Sequence, residues 1–319
     1  MKVLAWYNHN DLREESWPKP SVPSGFVRVA IKAVGFTNSE FNQFSTINHE
    51  TVKNVKIIGR KASGIVEQVG KNVNDIGIGD VVILDPKICF ERESGFLKEY
   101  IVISREHIIF TSAKLSFAAL CETEVVALCY KALEHSEINE NSRVGIIGGN
   151  IFGQTLLNLS KKFTNHITHI ETNEQRSLVK ETSNIPLLYA SQIQCNTIEK
   201  FDVVFVAEYS ESAIELAVNI SSEQAKLILL VTEFGTNDSS NFSFKQLQNR
   251  KIFCVETASD KFDLAVRWLE NNTTLAESFV TKRYAWDAME KDWQKATNNH
   301  ANEVFSAIIV DEKAEKIFD

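Results

Sequence analysis

Glycine and proline are scarce in this 319-residue chain, which holds 13 and 5 of them. Both fall below the usual shares of about 7% and about 5%. The 44% of hydrophobic residues and 24% of charged residues are ordinary for a globular protein. The length corresponds to about two domains of roughly 150 residues each. The composition therefore excludes a disordered chain, a disulfide-rich miniprotein and a fibrous repeat.

The few cysteines provide neither a disulfide framework nor a zinc knuckle. Their number is odd, they are spread along the chain, and no two of them form a C-x-x-C pair. We interpret them as reduced, mostly buried thiols, which predicts a cytoplasmic protein. The five are Cys89, Cys121, Cys129, Cys195 and Cys254.

A dense basic block and a long hydrophobic run are also lacking. The 34 Lys and Arg residues are outnumbered by 42 Asp and Glu residues, which gives a formal net charge of -8. This balance argues against nonspecific binding to nucleic acid or to anionic membranes. The N-terminal segment turns polar after seven residues, and apolar stretches such as 125–130 are far shorter than a membrane span. We therefore expect no nucleic-acid partner and no membrane association.

The order of predicted elements divides the chain into two kinds of structure. Short strands separated by turns fill about the first hundred residues and predict a small antiparallel barrel or sandwich. After about Ser116, apolar residues at helical spacing over 117–135 lead into alternating strands and helices. This alternation predicts a parallel sheet covered on both faces. The predicted elements of the second part lie at 144–147, 152–163, 166–170, 174–182, 201–207, 210–220, 226–231 and 251–255.

The segment VGIIGGNIFG at 144–153 is a predicted strand that runs into a turn and a helix. In a dinucleotide-binding turn, one glycine makes the tight turn, a second lets the backbone approach the pyrophosphate, and a third allows close helix packing. Gly148 and Gly153 occupy the first and third positions, but Asn150 occupies the second. Asparagine tolerates left-handed backbone angles. Its side chain either fills space that glycine leaves for phosphate or donates a hydrogen bond to it.

An acidic residue follows at the end of the next predicted strand. Glu171 lies 18 residues after Gly153, where a carboxylate binds the adenosine ribose hydroxyls and repels a 2′-phosphate. The pattern predicts a dinucleotide site that favours NAD(H) over NADP(H). The alternative is a plain strand-helix turn with a solvated carboxylate at the strand end. The predicted cofactor-binding residues are Gly148, Gly149, Asn150, Ile151, Phe152, Gly153 and Glu171.

Short motifs follow one another along the chain in a characteristic order and spacing. They are KVLA at 2–5, DLR at 11–13, PKP at 18–20, VAIKAVG at 29–35, SGIVEQVG at 63–70, IGDVV at 78–82, GFLKEY at 95–100 and the glycine turn. With these motifs the chain resembles, over essentially its whole length, the medium-chain dehydrogenase/reductase family of zinc-type alcohol and polyol dehydrogenases.

The resemblance implies an α/β fold with two domains. A GroES-like β-barrel catalytic domain would span 1–113, and a Rossmann nucleotide-binding domain with a doubly wound parallel sheet would span 114–258. The segment 259–319 would then return to the catalytic domain. Family members often pair through the edge strand of the nucleotide-binding sheet, here 251–255, and this predicts a homodimer.

The zinc ligands of the family are missing from the corresponding positions. The first catalytic ligand, a cysteine, falls on Thr37, and the family's Gly-His-Glu falls on Gly59, Arg60 and Lys61. Zinc needs thiolate, imidazole or carboxylate donors, and two cationic side chains oppose a dication. Glu122, near the place of the next family ligand, is then left alone.

The structural zinc lobe of the family also lacks its ligands. Four closely spaced cysteines are expected between Val82 and Tyr100, but this segment contains only Cys89. We therefore predict that the chain binds neither zinc ion.

Several residues around the former metal site remain candidates for catalysis. Ser39 matches the hydroxyl that relays protons in the zinc-dependent members, and a cation at Arg60 or Lys61 polarises a carbonyl or binds an anionic group. The alternatives are structural. Ser39 caps a helix that begins at Glu40, and Arg60 and Lys61 pair with acidic neighbours such as Glu122. The predicted catalytic residues are Ser39, Thr37, Arg60, Lys61 and Glu122.

A second departure concerns the nicotinamide end of the cofactor. Where family members usually carry glycine, this chain has Glu208-Tyr209-Ser210 and Thr232-Glu233.

Two functions stay open. One is a zinc-independent oxidoreductase that transfers hydride between NAD(H) and a small carbonyl compound, alcohol or activated alkene. The other is a catalytically degenerate relative that binds a ligand or a protein partner.

Overall fold

The computed structural model describes residues 1–8, 11–46, 56–92, 94–112, 114–174, 185–194, 198–208, 210–230, 250–256, 258–298 and 300–311. The chain divides into two units. The first comprises Met1–Glu124, Phe262–His300 and Phe305–Asp319, and the second comprises Val125–Lys261 and Ala301–Val304.

Strands and helices are numbered here in chain order. The strands are β1 Lys2–Asn8, β2 Asp11–Ser16, β3 Phe26–Phe36, β4 Lys56–Ile57, β5 Lys61–Val69, β6 Val81–Leu84, β7 Tyr100–Ser104, β8 Ile108–Phe110, β9 Val144–Ile147, β10 Ile167–Glu171, β11 Leu187–Tyr189, β12 Phe201–Val206, β13 Ser221–Leu230, β14 Lys251–Val255, β15 Val280–Ala285 and β16 Phe305–Ile309. The helices are α1 Asn38–Thr46, α2 Lys87–Arg92, α3 Phe117–Leu120, α4 Thr123–Ser136, α5 Ile151–Ser160, α6 Glu211–Ile220, α7 Phe262–Asn271, α8 Thr273–Phe279 and α9 Trp286–Asn298.

The first unit is dominated by antiparallel strands. Its larger sheet has the order β15-β16-β3-β5-β6-β8, with β7 also pairing with β3, and a smaller sheet has the order β2-β1-β4. The long strand β3 buries alternate residues, including Val27, Val29 and Ile31, because successive side chains of a strand point to opposite faces. Phe41 of α1 joins this core and lies 6.1 Å from the Trp293 ring. The predicted GroES-like β-domain is confirmed.

The second unit contains a six-stranded parallel sheet in the order β11-β10-β9-β12-β13-β14. The chain runs from β9 outward in one direction and from β12 outward in the other. The strand order therefore reverses between β9 and β12, and ligands of such folds bind at the carboxyl ends of the strands on either side of this point. The predicted Rossmann doubly wound sheet is confirmed.

Some element boundaries differ from the predicted ones. The single helix predicted over 117–135 consists of α3 and α4, because the Ser116 side chain caps α3 and the Thr123 hydroxyl binds the carbonyl of Leu120 at 2.8 Å. Strand β13 begins at Ser221 instead of 226, since α6 ends there and Ser221 is already extended and paired with Phe201. The helix predicted over 174–182 lies outside the described residues from position 175 onward.

None of the described helices is long and apolar enough to span a membrane.

Candidate functional site

A buried ion cluster lies in the first unit. Lys61 begins β5, and its side chain is 0% exposed. Its Nζ atom is 2.8 Å from Oε2 of Glu40 in α1 and 3.4 Å from Oε2 of Glu124 in the first turn of α4. We call these three residues the Lys61 cluster. Three elements that are distant in sequence thus bring one cation and two carboxylates together.

Glu40 is fixed by the start of helix α1 as well as by Lys61. Its Oε2 accepts hydrogen bonds from the Thr37 backbone N–H at 2.7 Å and from the Thr37 hydroxyl at 2.9 Å. This is the capping-box pattern T-x-x-E, in which the glutamate satisfies the N–H at the start of the helix. The cap is therefore formed by Thr37 and Glu40. The hydroxyl of Ser39 lies 2.9 Å from that of Thr37.

The charges of the cluster stabilise one another against the cost of burial. Burial by itself raises the pKa of Glu40, but the positive charges of Lys61 and Arg60 and the hydrogen bonds hold the pKa below its ordinary value. Burial likewise lowers the pKa of Lys61, but Glu40 and Glu124 hold the pKa above its ordinary value. Lys61 and Glu40 are consequently both charged at neutral pH.

The predicted catalytic residues of this region differ in how much of each residue is exposed to solvent. Lys61 and Thr37 are buried, and both are bonded to Glu40. Arg60 and Ser39 are only partly buried. Arg60 and Ser39 therefore keep part of their surface exposed, whereas Lys61 does not.

Glu122 is placed apart from the Lys61 cluster. Burial and the nearby Glu277 carboxylate raise the pKa of Glu122 well above its ordinary value, and Arg283 opposes them. Among the described residues, no group donates a hydrogen bond to either carboxylate oxygen of Glu122. The structural alternative, in which Lys61 pairs with acidic neighbours, is confirmed, but those neighbours are Glu40 and Glu124 instead of Glu122. The carboxylate that contacts Lys61 on this segment is that of Glu124, and residues two positions apart near a helix start do not face the same side.

The donor set at the former metal positions does not fit zinc. The Thr37 hydroxyl donates to Glu40, and the Lys61 ammonium group occupies the space between the two carboxylates. An ammonium group has no lone pair for a metal and repels a dication. In the part of the chain that the structure describes, no three His, Cys, Asp or Glu side chains are grouped to hold a metal ion.

The glycine turn of the second unit requires glycine at two positions. Gly148 follows β9 with φ 98°, and a Cβ atom there would lie 2.8 Å from the Cβ of Glu208. A Cβ atom on Gly153 would lie 1.8 Å from the carbonyl oxygen of Gly148. The turn and the first turn of α5 are therefore packed as closely as in a dinucleotide-binding unit.

Asn150 makes its side-chain hydrogen bonds within the protein. Its backbone is extended, with φ −67° and ψ −177°, and not left-handed. Its Oδ1 accepts a hydrogen bond from Gly153 N–H at 3.2 Å, and its Nδ2 donates to the carbonyl of Ala207 at 2.7 Å. Asn150 thus caps α5 and ties the turn to the end of β12, so its amide is already used within the protein.

Two carboxylates lie at the ends of β10 and β12, the two strands that flank β9. Glu171 is 1% exposed, and its Oε1 accepts the backbone N–H groups of Thr172 and Asn173, each at 2.8 Å. The alternative of a solvated carboxylate is therefore wrong for Glu171. Glu208 extends beside Gly148, and its Oε2 accepts a hydrogen bond from the Thr172 hydroxyl at 3.1 Å.

The structure thus brings the predicted cofactor-binding residues together at one end of the sheet. Gly149 precedes Asn150 in the turn, and Ile151 and Phe152 form the buried first turn of α5. Helix α5 is ten residues long, and the N–H groups at its N-terminus attract a phosphate. The Glu208 carboxylate places a negative charge at the same turn and opposes that attraction.

Comparisons with known proteins show what the chain is similar to. Residues 23–112 match the alcohol dehydrogenase GroES-like domain. The chain is 24% identical to the L-idonate 5-dehydrogenase of Vitis vinifera over 69% of its own length and 70% of that protein. These matches agree with the resemblance to the medium-chain dehydrogenase/reductase family. A match at 24% identity to the (R,R)-butanediol dehydrogenase of Bacillus subtilis spans about half of each protein, 46% of this chain and 51% of the relative.

Solved structures share the fold of this chain along its whole length. The 2R,3R-butanediol dehydrogenase of Bacillus subtilis superposes with a TM-score of 0.78 at 17% identity, over 97% of this chain and 99% of that one. The galactitol-1-phosphate dehydrogenase of Escherichia coli gives 0.77 at 17% identity, over 97% and 100%.

Sequence reasoning missed two residues of the Lys61 cluster. The T-x-x-E pattern at 37–40 is typical of a capping box and could have predicted the contact between Glu40 and Thr37. Glu124 had no such signal, because only the fold brings it to Lys61.

Proposed function

We propose that this chain is an oxidoreductase that transfers hydride between NAD(H) and a small carbonyl compound, alcohol or activated alkene without a zinc ion. The observation that carries the proposal is the tight glycine turn between β9 and α5, with Gly148 at φ 98° and Gly153 against its carbonyl. The turn stands beside the point where the strand order of the parallel sheet reverses.

Relatives support the reaction class. The curated relatives are named as dehydrogenases of butanediol, idonate and sorbitol. One solved structure of the same fold is described as complexed with NADH and another as bound to NADP. These names describe the relatives, and they make a small hydroxyl or carbonyl compound the natural class of substrate to test here.

Different residues of this chain would bind the different parts of the cofactor and the substrate. The turn from Gly148 to Gly153 would face the pyrophosphate, and Glu171 would face the adenosine ribose, which favours NAD(H) over NADP(H). The nicotinamide ring supplies the hydride when the cofactor is bound. Arg60 and Ser39 are the partly buried groups of the first unit that would polarise a carbonyl and donate a proton.

A second function is favoured by a specific observation. Asn150 uses its side chain to cap α5, and Glu208 places a carboxylate beside Gly148. Both changes weaken a pyrophosphate site. A relative that keeps the fold but binds another ligand or a protein partner is therefore the alternative.

The first experiment is a titration of the purified protein with NADH and NADPH, followed by energy transfer from protein to nicotinamide fluorescence. We expect saturable binding of NADH that is tighter than that of NADPH. Glu171→Gln should weaken NADH binding because it removes the ribose-facing charge. Glu208→Gln should tighten it by about threefold to tenfold, because a negative charge near the pyrophosphate is removed.

Glu215→Gln is the matched control, since Glu215 is an exposed glutamate of α6 in the same unit. It should leave both affinities unchanged. Absence of binding of either cofactor at millimolar concentration, in the wild type and in Glu208→Gln, would overturn the proposed oxidoreductase and leave the second function. Saturable binding would be followed by a screen of aldehydes, ketones, alcohols and enones.

A further inference from the structure

The positions that carry the catalytic metal ligands in the family hold an internal salt bridge in this chain. By the resemblance, Thr37 and Lys61 stand at ligand positions, and both contact the same carboxylate oxygen of Glu40. The Lys61 ammonium group also lies 3.4 Å from Oε2 of Glu124. A single positive charge therefore contacts two carboxylates, as a metal cation would.

The burial of this charge makes it important for the fold. The Lys61 side chain is 0% exposed, and those of Glu40 and Glu124 are 2% and 12% exposed. Lysine and glutamate are almost never buried unless they are paired. Removal of one partner from a buried pair is strongly destabilising because the remaining charge is left without compensation. Without Lys61, the positive charge of Arg60 would still act on Glu40, and the remaining negative charge of the two carboxylates would demand either a proton or another cation.

We propose that the ε-ammonium group of Lys61 is a built-in replacement for the metal cation of the zinc-type relatives. It pairs with both Glu40 and Glu124 and so joins α1, β5 and the start of α4 without a bound ion. Lys61 is thus a positioning residue. Its Nζ atom contacts two carboxylates, and its side chain is 0% exposed. The inference does not depend on NAD(H) binding.

The test uses the full-length chain and measures the midpoint of thermal unfolding. Lys61→Met keeps the apolar stem but deletes the charge, and the midpoint should fall by on the order of 10 °C. Glu40→Gln combined with Lys61→Met removes a charge of each sign. This double variant should recover a clear part of the loss, because the two sites are energetically coupled.

A chemical rescue experiment tests whether a positive charge at the position of Lys61 Nζ stabilises the folded protein. Lys61→Ala leaves space for the missing part of the side chain, which n-propylammonium ion matches in shape and charge. Added n-propylammonium chloride should raise the midpoint of Lys61→Ala by several degrees, on the scale of about 2–4 °C per kcal/mol. The neutral analogue n-propanol should not.

Lys32→Ala is the matched control for the rescue. Lys32 is a mostly buried lysine of β3 in the same unit, it pairs with Asp311 at 2.7 Å, and it lies outside the Lys61 cluster. Because the Asp311 side chain is 42% exposed and its charge stays solvated, Lys32→Ala should respond to n-propylammonium less than Lys61→Ala does.

Three results would overturn the proposal. The first is an equal loss of stability, or of folding, in Lys61→Met and in the double variant. The second is rescue by n-propanol as effective as rescue by the ammonium ion. The third is stoichiometric zinc in the wild-type protein grown with added zinc. If Lys61→Met alone fails to fold while the double variant folds, the proposal is supported. These outcomes are read from stability and metal content, so they are distinguishable from the failure of NADH to bind.

Discussion

Glu122 is a residue whose protonation affects the stability of the folded protein. It is completely buried, and burial together with the Glu277 carboxylate raises its pKa well above the ordinary value. In the unfolded chain its pKa returns to about 4.3. Above that pH the folded state holds a proton that the unfolded state has released, so stability falls as pH rises.

Glu122→Gln should abolish this part of the pH dependence, because glutamine stays neutral in both states. We expect the free energy of unfolding of the variant, relative to the wild type, to increase from pH 4 to pH 8. Each unit of pKa difference corresponds to about 1.4 kcal/mol. Urea unfolding at several pH values measures the difference.

Glu106→Gln serves as the control, since that side chain is 75% exposed in the same unit. Its free energy of unfolding should follow the wild type across the same pH range. Parallel pH profiles for Glu122→Gln and the wild type would contradict a protonated, buried Glu122.

At the scale of secondary-structure elements, the glycine turn shows what a local pattern predicts. The sequence correctly located the strand, the turn and the helix at 144–153, because buried strands and glycine positions leave a strong signal. It did not predict that Asn150 caps α5 and binds the Ala207 carbonyl, since that contact depends on where β12 ends. The cofactor-binding role of the turn stays a prediction.

Gly153→Ala tests the close packing of that turn. A Cβ atom would lie 1.8 Å from the Gly148 carbonyl oxygen, and backbone must move to make room. Overpacking typically costs about 1–3 kcal/mol and occasionally more, and we expect a loss of roughly 3 kcal/mol in the free energy of unfolding. Urea unfolding followed by circular dichroism gives the value.

Gly77→Ala is the comparison for this substitution. The nearest atoms to its Cβ belong to the Asp80 carboxylate at 3.8 Å and beyond, so the methyl group meets only ordinary contacts. It should change the free energy of unfolding by less than about 0.5 kcal/mol. Equal effects of the two substitutions would show that α5 does not pack against the turn as described.

At the scale of the whole molecule, the sequence predicted both sheets and the fold. Motifs spread along the chain carry that signal, and alternating strands and helices fix a parallel sheet. The Lys61 cluster could not be predicted in the same way. Glu40 and Lys61 are 21 residues apart, and their contact follows from the antiparallel sheet and from α1. Missing zinc ligands were visible in the sequence, but their replacement by an ion pair was not.

The edge strand β14 of the parallel sheet allows a prediction about the oligomeric state of the protein. Strand β14 is the last strand of the parallel sheet, and among the described residues it pairs only with β13. Its Cys254 is exposed, and Ile252 is 37% exposed. An edge strand presents unpaired N–H and C=O groups, and two copies related by a twofold axis can pair along it.

We therefore expect a homodimer that depends on β14. Cys254→Lys should shift the protein toward the monomer, because a twofold axis brings each new charge close to its own copy. Phe163→Lys introduces the same charge at another exposed apolar residue of the second unit and should leave the dimer intact. Sedimentation velocity over a range of concentrations measures the masses. A monomeric wild type, or dimers of equal strength in both variants, would show that β14 is not the contact between copies.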